Sequence, residues 1–213
     1  MESPVTGDQQ AHLDESKARR ARRAVFVDIE GVLQPESAIA GAHGLGTQSP
    51  LSVVSQIMQK CPQAFRYEPV LGALLSLHND VVVVCSSLWR AFLSEDDLHE
   101  VFVGTEGRYA GSVGYPYQRR DFAIGRWLDS HPNIKDSATL SSHPVLHSRA
   151  WMKHIRCSPD AGLGDTAIQR ELANWLRDTA RDDTAHTHQP DTGVVPGISQ
   201  PVPEAVNPRR NLS

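Results

Sequence analysis

Two short apolar runs stand out along a mostly polar chain, Ala24-Val25-Phe26-Val27 and Val81-Val82-Val83-Val84. Both are rich in β-branched residues and bounded by polar or turn residues. A strand with one wet face would alternate, so these uninterrupted runs predict strands buried on both faces of a parallel sheet. Between them Val70, Leu71, Leu74, Leu75 and Leu77 share one helical face and predict a helix over 68–78. Ser94 and Asp97 have capping-box spacing and predict a second helix starting at Ser94. A third is expected over 119–130, burying Phe122, Ala123, Trp127 and Leu128. The last begins near Asp165, with Ile168, Leu172, Trp175 and Leu176 on one stripe. Weaker strands are expected near 138–141 and 151–156.

Strands alternating with helices predict an α/β domain over 24–178, with a Rossmann-like, mainly parallel sheet and helices on both faces. The stretch 36–67 is too long for an ordinary connection and holds a short helix candidate at 51–60. It reads as a small flap or cap inserted after the first strand. Residues 1–23 are polar and end in Lys17, Arg19, Arg20, Arg22 and Arg23 without apolar periodicity, which predicts a disordered basic arm. Residues 179–213 hold a Pro-rich stretch from Pro190 to Pro208 and few large apolar side chains. Such a segment cannot offset its ordering entropy by burial and reads as a disordered tail.

Composition narrows the function classes. The chain has 213 residues, of which 39% are hydrophobic, which suits one domain with a real core. No run approaches the roughly 20 apolar residues of a membrane span, so no membrane partner is expected. The first residues lack the apolar core of an export signal. Cys61, Cys85 and Cys157 show neither metal-ligand spacing nor a disulfide framework, and the expected setting is reducing and cytoplasmic. A net charge of −4 gives no global pull toward nucleic acid.

In an open parallel sheet, ligands bind outside the carboxyl ends of the strands. The first strand ends in Asp28-Ile29-Glu30-Gly31-Val32 and the second in Cys85-Ser86-Ser87-Leu88-Trp89-Arg90, so two polar clusters fall on that edge. An apolar strand followed by Asp, any residue, an acid, Gly and Val resembles the first motif of the haloacid-dehalogenase (HAD) superfamily. Paired with Ser-Ser-Leu-Trp-Arg, it resembles the HAD branch found in Swiss army knife RNA-repair proteins. Arg119 to His131, with Ile124, Trp127 and Leu128, is similar to the next element of that branch. Asp160-Ala161-Gly162-Leu163-Gly164 is similar to its closing turn, and the resemblance spans 24–177.

That resemblance implies aspartate-based phosphoryl transfer. Asp28 would attack phosphorus and form an aspartyl-phosphate. Glu30 would protonate the leaving oxygen and then activate water, and its backbone carbonyl would ligate Mg²⁺. Ser86, or Ser87 if the strand ends one residue later, would bind a phosphoryl oxygen. Arg119 or Arg120 would neutralise the phosphoryl charge. Trp89 and Arg90 read as a packing residue and a surface charge, without assigned chemistry.

The pattern also departs from the family at two places. Glu30 is one methylene longer than the usual aspartate. Where aspartates are expected to bind Mg²⁺ beside the nucleophile, this chain has Ser141 and Ser142, a degenerate metal position. Neutral hydroxyls do not offset the charge of a hard dication, so the Mg²⁺ site is expected to be weakened. Asp136, Asp160 and Asp165 are the substitute acids to consider, while His143 and His147 read as surface or packing residues. Two function classes follow. One is a Mg²⁺-dependent phosphohydrolase acting on a phosphorylated small molecule or a nucleic-acid end. The other is a catalytically weak or inactive HAD-like module that binds a phosphorylated ligand or a protein partner.

Overall fold

The computed structural model describes residues 7–39, 51–105, 107–114, 117–144, 149 and 151–185. In chain order the elements are α1 (Gly7–Arg20), β1 (Arg23–Val27), α2 (Val53–Lys60), α3 (Glu68–Leu75), β2 (Val81–Cys85), α4 (Glu95–Val101), β3 (Tyr109–Ser112), α5 (Arg120–Ser130), β4 (Asp136–Ser141), β5 (Lys153–Arg156) and α6 (Thr166–Ala185). The five strands form one sheet in the order β3-β2-β1-β4-β5, and every pairing is parallel. From β1 the chain steps to β2 and β3 on one side, then returns to β4 and β5 on the other. The strand order therefore reverses between β1 and β4, and the crevice at that reversal is where a doubly wound sheet offers a ligand site.

The two continuous apolar runs are β1 and β2, and their side chains divide between two layers with the period of a strand. Val25 and Val27, with Val81, Val83 and Cys85, face a core built from α2, α3, α4 and α6. Ala24 and Phe26, with Val82 and Val84, face the layer of α1 and α5. Phe26 there meets Trp127 edge-to-face at 5.4 Å. Helices cover both faces, which is why neither strand alternates.

The helix expected at Ser94 forms with its capping box intact: Asp97 N donates to Ser94 Oγ at 3.2 Å and Ser94 N to Asp97 Oδ2 at 3.0 Å. Ser94→Ala is expected to cost about 1 kcal/mol, read as a lowered midpoint in urea unfolding with an unchanged slope. In α5, Ala123, Trp127 and Leu128 are buried as expected, but Phe122 points to solvent at 59% exposure and Ile124 takes the core position instead. The buried stripe of α5 is Ala123, Ile124, Trp127 and Leu128, and Phe122 falls outside it. Leu77 lies beyond the end of α3 and is exposed.

The expected basic arm is helical from Gly7 to Arg20. Ala18 and Ala21 are buried, Asn133 Nδ2 donates to both their carbonyls at 2.7 Å, and Asp14 reaches His99 at 2.6 Å. Its contacts are made by alanines and polar pairs, which leave little apolar signal. Arg23, the last of the basic cluster, is the first residue of β1 and is buried. At the other end α6 continues to Ala185, past the expected boundary at 178. Residues 1–6, 40–50 and 186–213 lie outside the described residues, as do parts of the expected arm, flap and tail. Within the expected flap, Glu36–Ile39 is a 3-10 turn, and α2 joins the core through Val54 and Ile57. Ser52 and Ser55 bond Glu100 of α4, so this helix belongs to the packed layer.

β3 has no counterpart in the sequence pattern. Tyr109-Ala110-Gly111-Ser112 pairs with β2 through a register shift between Val83 and Cys85, and Gly111 has φ +89°. A bulge of this kind breaks the two-residue period. Among the described residues no helix is long and apolar enough to cross a membrane.

Candidate active site

β1 is flanked by β2 and β4, and all three run parallel, so Asp28, Ser86 and Ser141 arrive at one edge of the sheet. Backbone bonds fix the level of each. Asp28 N donates to Leu140 O at 3.1 Å, and Ser86 N donates to Val27 O at 2.9 Å. The loops beyond are drawn together by glycine. Gly31 has φ +65°, and a Cβ there would lie 2.5 Å from the Ser142 Cβ. Any side chain would separate the β1 and β4 loops. Gly162, in the Asp160–Gly164 turn, would place a Cβ 2.5 Å from Val32 O, and Leu163 N donates to that same carbonyl at 2.9 Å. The closing motif therefore braces the loop that follows Asp28.

Asp28 is completely buried. Its Oδ1 accepts from Ser86 Oγ at 2.8 Å, and its Oδ2 lies 2.6 Å from Arg120 Nη1 in an ion pair. Burial pushes the Asp28 carboxyl up from 3.8 to about 6. The Arg120 charge pulls it down, the nearby Glu30 carboxylate pushes it up, and hydrogen bonds from Ser141 and Ser86 favour the ionised form. Arg120 Nη1 also donates to Ser141 Oγ at 2.7 Å, so this one nitrogen ties α5 to the ends of β1 and β4.

The paired alternatives of the sequence separate cleanly. Ser86 contacts Asp28, whereas Ser87 Oγ donates to Glu30 Oε2 at 2.5 Å and accepts from Trp89 N at 3.1 Å. Arg120 turns inward. Arg119 turns outward, 73% exposed in its side chain, and pairs with Asp121 at 2.8 Å. Arg119 is the extended N-cap of α5 and Arg120 its first helical residue, so their side chains diverge. Arg119 therefore does not reach Asp28.

Two contributors went unread in the sequence. Arg90 is no surface charge. It is buried, and its Nη1 donates to Ser86 O at 2.6 Å and Ser87 O at 2.5 Å, pinning the turn that presents both hydroxyls. Its partners are backbone carbonyls, which leave no mark in the sequence. Glu36 is the other: its Oε1 accepts from Ser142 Oγ at 2.7 Å and lies 3.8 Å from His143 Nδ1. No strand-end pattern marks it, because it comes from the 3-10 turn.

The donor set does not fit Mg²⁺. Ser141 Oγ accepts from Arg120 and from His143 N at 3.1 Å, and Ser142 is tied to Glu36. Asp136 lies at the opposite end of β4, paired with Arg23 in the register. Asp165 caps α6 by accepting from Ala167 N at 2.8 Å, and Asp160 is exposed in its turn. Among the described residues no cluster of three His, Cys, Asp or Glu could hold a metal ion. Mg²⁺ needs near-octahedral oxygen donors with carboxylate charge, and the hydroxyls here already serve other partners.

No curated protein and no solved structure matches the chain. A family model does, over residues 24–168, which runs from Ala24 in β1 through the first turn of α6 and takes in every strand-end residue described above. The match covers more than half of the 213 residues, and the all-parallel sheet with Asp28 at the end of its central strand agrees with it. The chain belongs to the family described as the HAD domain in Swiss Army Knife RNA repair proteins.

Proposed function

We propose that this domain hydrolyses a phosphate monoester through an aspartyl-phosphate, with Asp28 as nucleophile. The observation carrying the reading is the completely buried Asp28 carboxylate, oriented by Ser86 Oγ at 2.8 Å and by Arg120 at 2.6 Å. Oδ2 takes no hydrogen bond from the described residues beyond its ion pair with Arg120, and it is the oxygen assigned to attack on phosphorus. The P–O bond to the leaving group breaks as the Asp28–phosphorus bond forms, and Glu30 gives a proton to the departing oxygen. Water then attacks phosphorus, Glu30 takes its proton, and phosphate leaves with Asp28 regenerated. Ser87 holds the Glu30 carboxylate in place between the two steps. HAD domains typically use Mg²⁺, yet no step here is routed through it, because the donors present do not form its site. The substrate we propose is a phosphorylated RNA end or a nucleotide, a reading supported by the family's description as a domain of RNA repair proteins.

A second reading, a phosphate-binding module without turnover, is favoured by one observation. Arg120 already engages Asp28 Oδ2, which restrains the nucleophile. The two readings divide on one assay. The purified chain is offered an aryl phosphate and 5′- and 3′-phosphorylated oligoribonucleotides, with EDTA and with MgCl₂. Phosphate release above the blank is expected. Binding of inorganic phosphate without release from any ester would leave the second reading standing in place of the first.

A further inference from the structure

We propose that the Arg120 guanidinium is the fixed counter-charge of this site, so that a phosphate oxyanion is captured there without a divalent cation. The inference rests on the phosphoryl reading above but concerns binding rather than turnover. A cation shared by the nucleophile and the end of β4 would enter between Asp28 and Ser141. Arg120 Nη1 occupies that bridge, 2.6 Å from Asp28 Oδ2 and 2.7 Å from Ser141 Oγ. The serine that follows is equally committed, since Ser142 Oγ donates to Glu36 Oε1 at 2.7 Å. β4 itself brings no carboxylate to hold a dication, and the positive charge at this point comes instead from the covalently held guanidinium of α5.

The geometry of that cation suits an oxyanion. Only Nη1 of Arg120 is engaged by the described residues, which leaves Nη2 and Nε for two phosphoryl oxygens. A planar fork of donors matches a phosphate bidentately, whereas a lysine acts as a point charge. The side chain is 19% exposed, so part of it is open to solvent while Nη1 is held against Asp28 and Ser141. Asp28 and Arg120 together are neutral when both are ionised, so an incoming phosphate meets no net repulsion from the pair. Arg119, held outward by Asp121, does not share this role.

The test is calorimetric titration of the full chain with inorganic phosphate, in EDTA and again in MgCl₂. The dissociation constant is expected to agree within about twofold between the two conditions, and Arg120→Met to weaken it roughly thirtyfold or more in both, as truncating one partner of a hydrogen-bonded charge pair does. Arg120→Lys is expected to fall between them, because it keeps the charge and loses the fork. Thermal melts establish that each variant folds. If Arg120→Met does not fold, the wild-type comparison and Arg120→Lys still decide. Binding that appears only with Mg²⁺, or that tightens more than about tenfold with it, overturns the proposal. So does an Arg120→Met variant that folds and binds like wild type. Ester hydrolysis with a strict Mg²⁺ requirement defeats this inference and leaves the phosphohydrolase standing. EDTA-insensitive phosphate binding without turnover does the reverse.

Discussion

Asp28→Asn is expected to abolish ester hydrolysis and, in EDTA, to make the fold more stable at pH 8. The first effect follows from removing the nucleophile, and losses of such groups run to roughly 10³–10⁶-fold in turnover. The second follows from where the carboxylate sits. Burial raises the folded Asp28 from 3.8 to about 6, so the folded protein holds this proton more tightly than the unfolded chain. Stability from the protonated group is complete below about pH 3.8 and is lost as pH rises through about 6. Asparagine carries no charge at any of these pH values and escapes that loss. Two pH units correspond to about 3 kcal/mol at most, and the partner left at Arg120 trims the gain to about 1–3 kcal/mol. Melting temperatures of wild type and variant in EDTA should therefore diverge from pH 4 to pH 8, the variant higher at the alkaline end. Equal curves, or a variant less stable at pH 8, would falsify the account of a strained buried charge. Retained hydrolysis would remove Asp28 as the nucleophile.

That same aspartate was legible because two independent patterns meet on it. A strand buried on both faces cannot hide its ends, so the first polar residue after Val27 marks the ligand edge. Val81–Cys85 does the same for Ser86. Parallel pairing of β1 with β2 then brings both to one level, an adjacency that the alternation of strands and helices predicts. The choice between Arg119 and Arg120 was not legible, because it depends on the residue at which α5 begins its first turn. Arg90 is illegible in the sequence for a different reason. Its partners are backbone carbonyls, and every sequence offers those everywhere. Glu36 reaches Ser142 across 106 residues of chain, a contact that no local pattern encodes.

In the fold the losses have the same physical origin. α1 buries alanines and satisfies its last carbonyls through Asn133, so its sequence looks like a solvated leader. β3 carries a bulge at a positive-φ glycine and never shows a two-residue period. The capping box of α4, by contrast, is local and complete within four residues, and it was readable directly.

Arg23→Met should destabilise the fold by several times as much as Ser94→Ala. The residue closes a basic cluster in the sequence, yet its side chain lies under the amino ends of the strands, 3% exposed. Nε and Nη2 meet Asp80 Oδ2 and Oδ1 at 2.6 and 2.8 Å, a bidentate pair. Nη1 donates to Leu176 O at 2.7 Å near the end of the core stripe of α6, and the guanidinium lies over the Trp175 ring at 5.6 Å. One cation therefore joins the start of β1, the turn before β2 and the helix packed beneath them. Methionine fills most of the volume but leaves the Leu176 carbonyl without this donor and Asp80 without its partner. Breaking a buried pair from one side costs about 3–5 kcal/mol. Asp80 is partly exposed and recovers some water, so the expected loss is about 2–4 kcal/mol. A pH signature separates this pair from simple packing. Burial alone would raise the Asp80 carboxyl, but the hydrogen bonds and charge of Arg23 hold it below its ordinary value. The stability it supplies is present above the unfolded value of 3.8 and is lost as pH falls through the lower folded value. Urea unfolding of Arg23→Met, Asp80→Asn and the double variant at pH 7 and pH 3 measures the coupling. A coupling near zero at pH 7, or one that does not shrink at pH 3, would mean that Arg23 holds β1 and α6 together by packing and the Leu176 carbonyl alone.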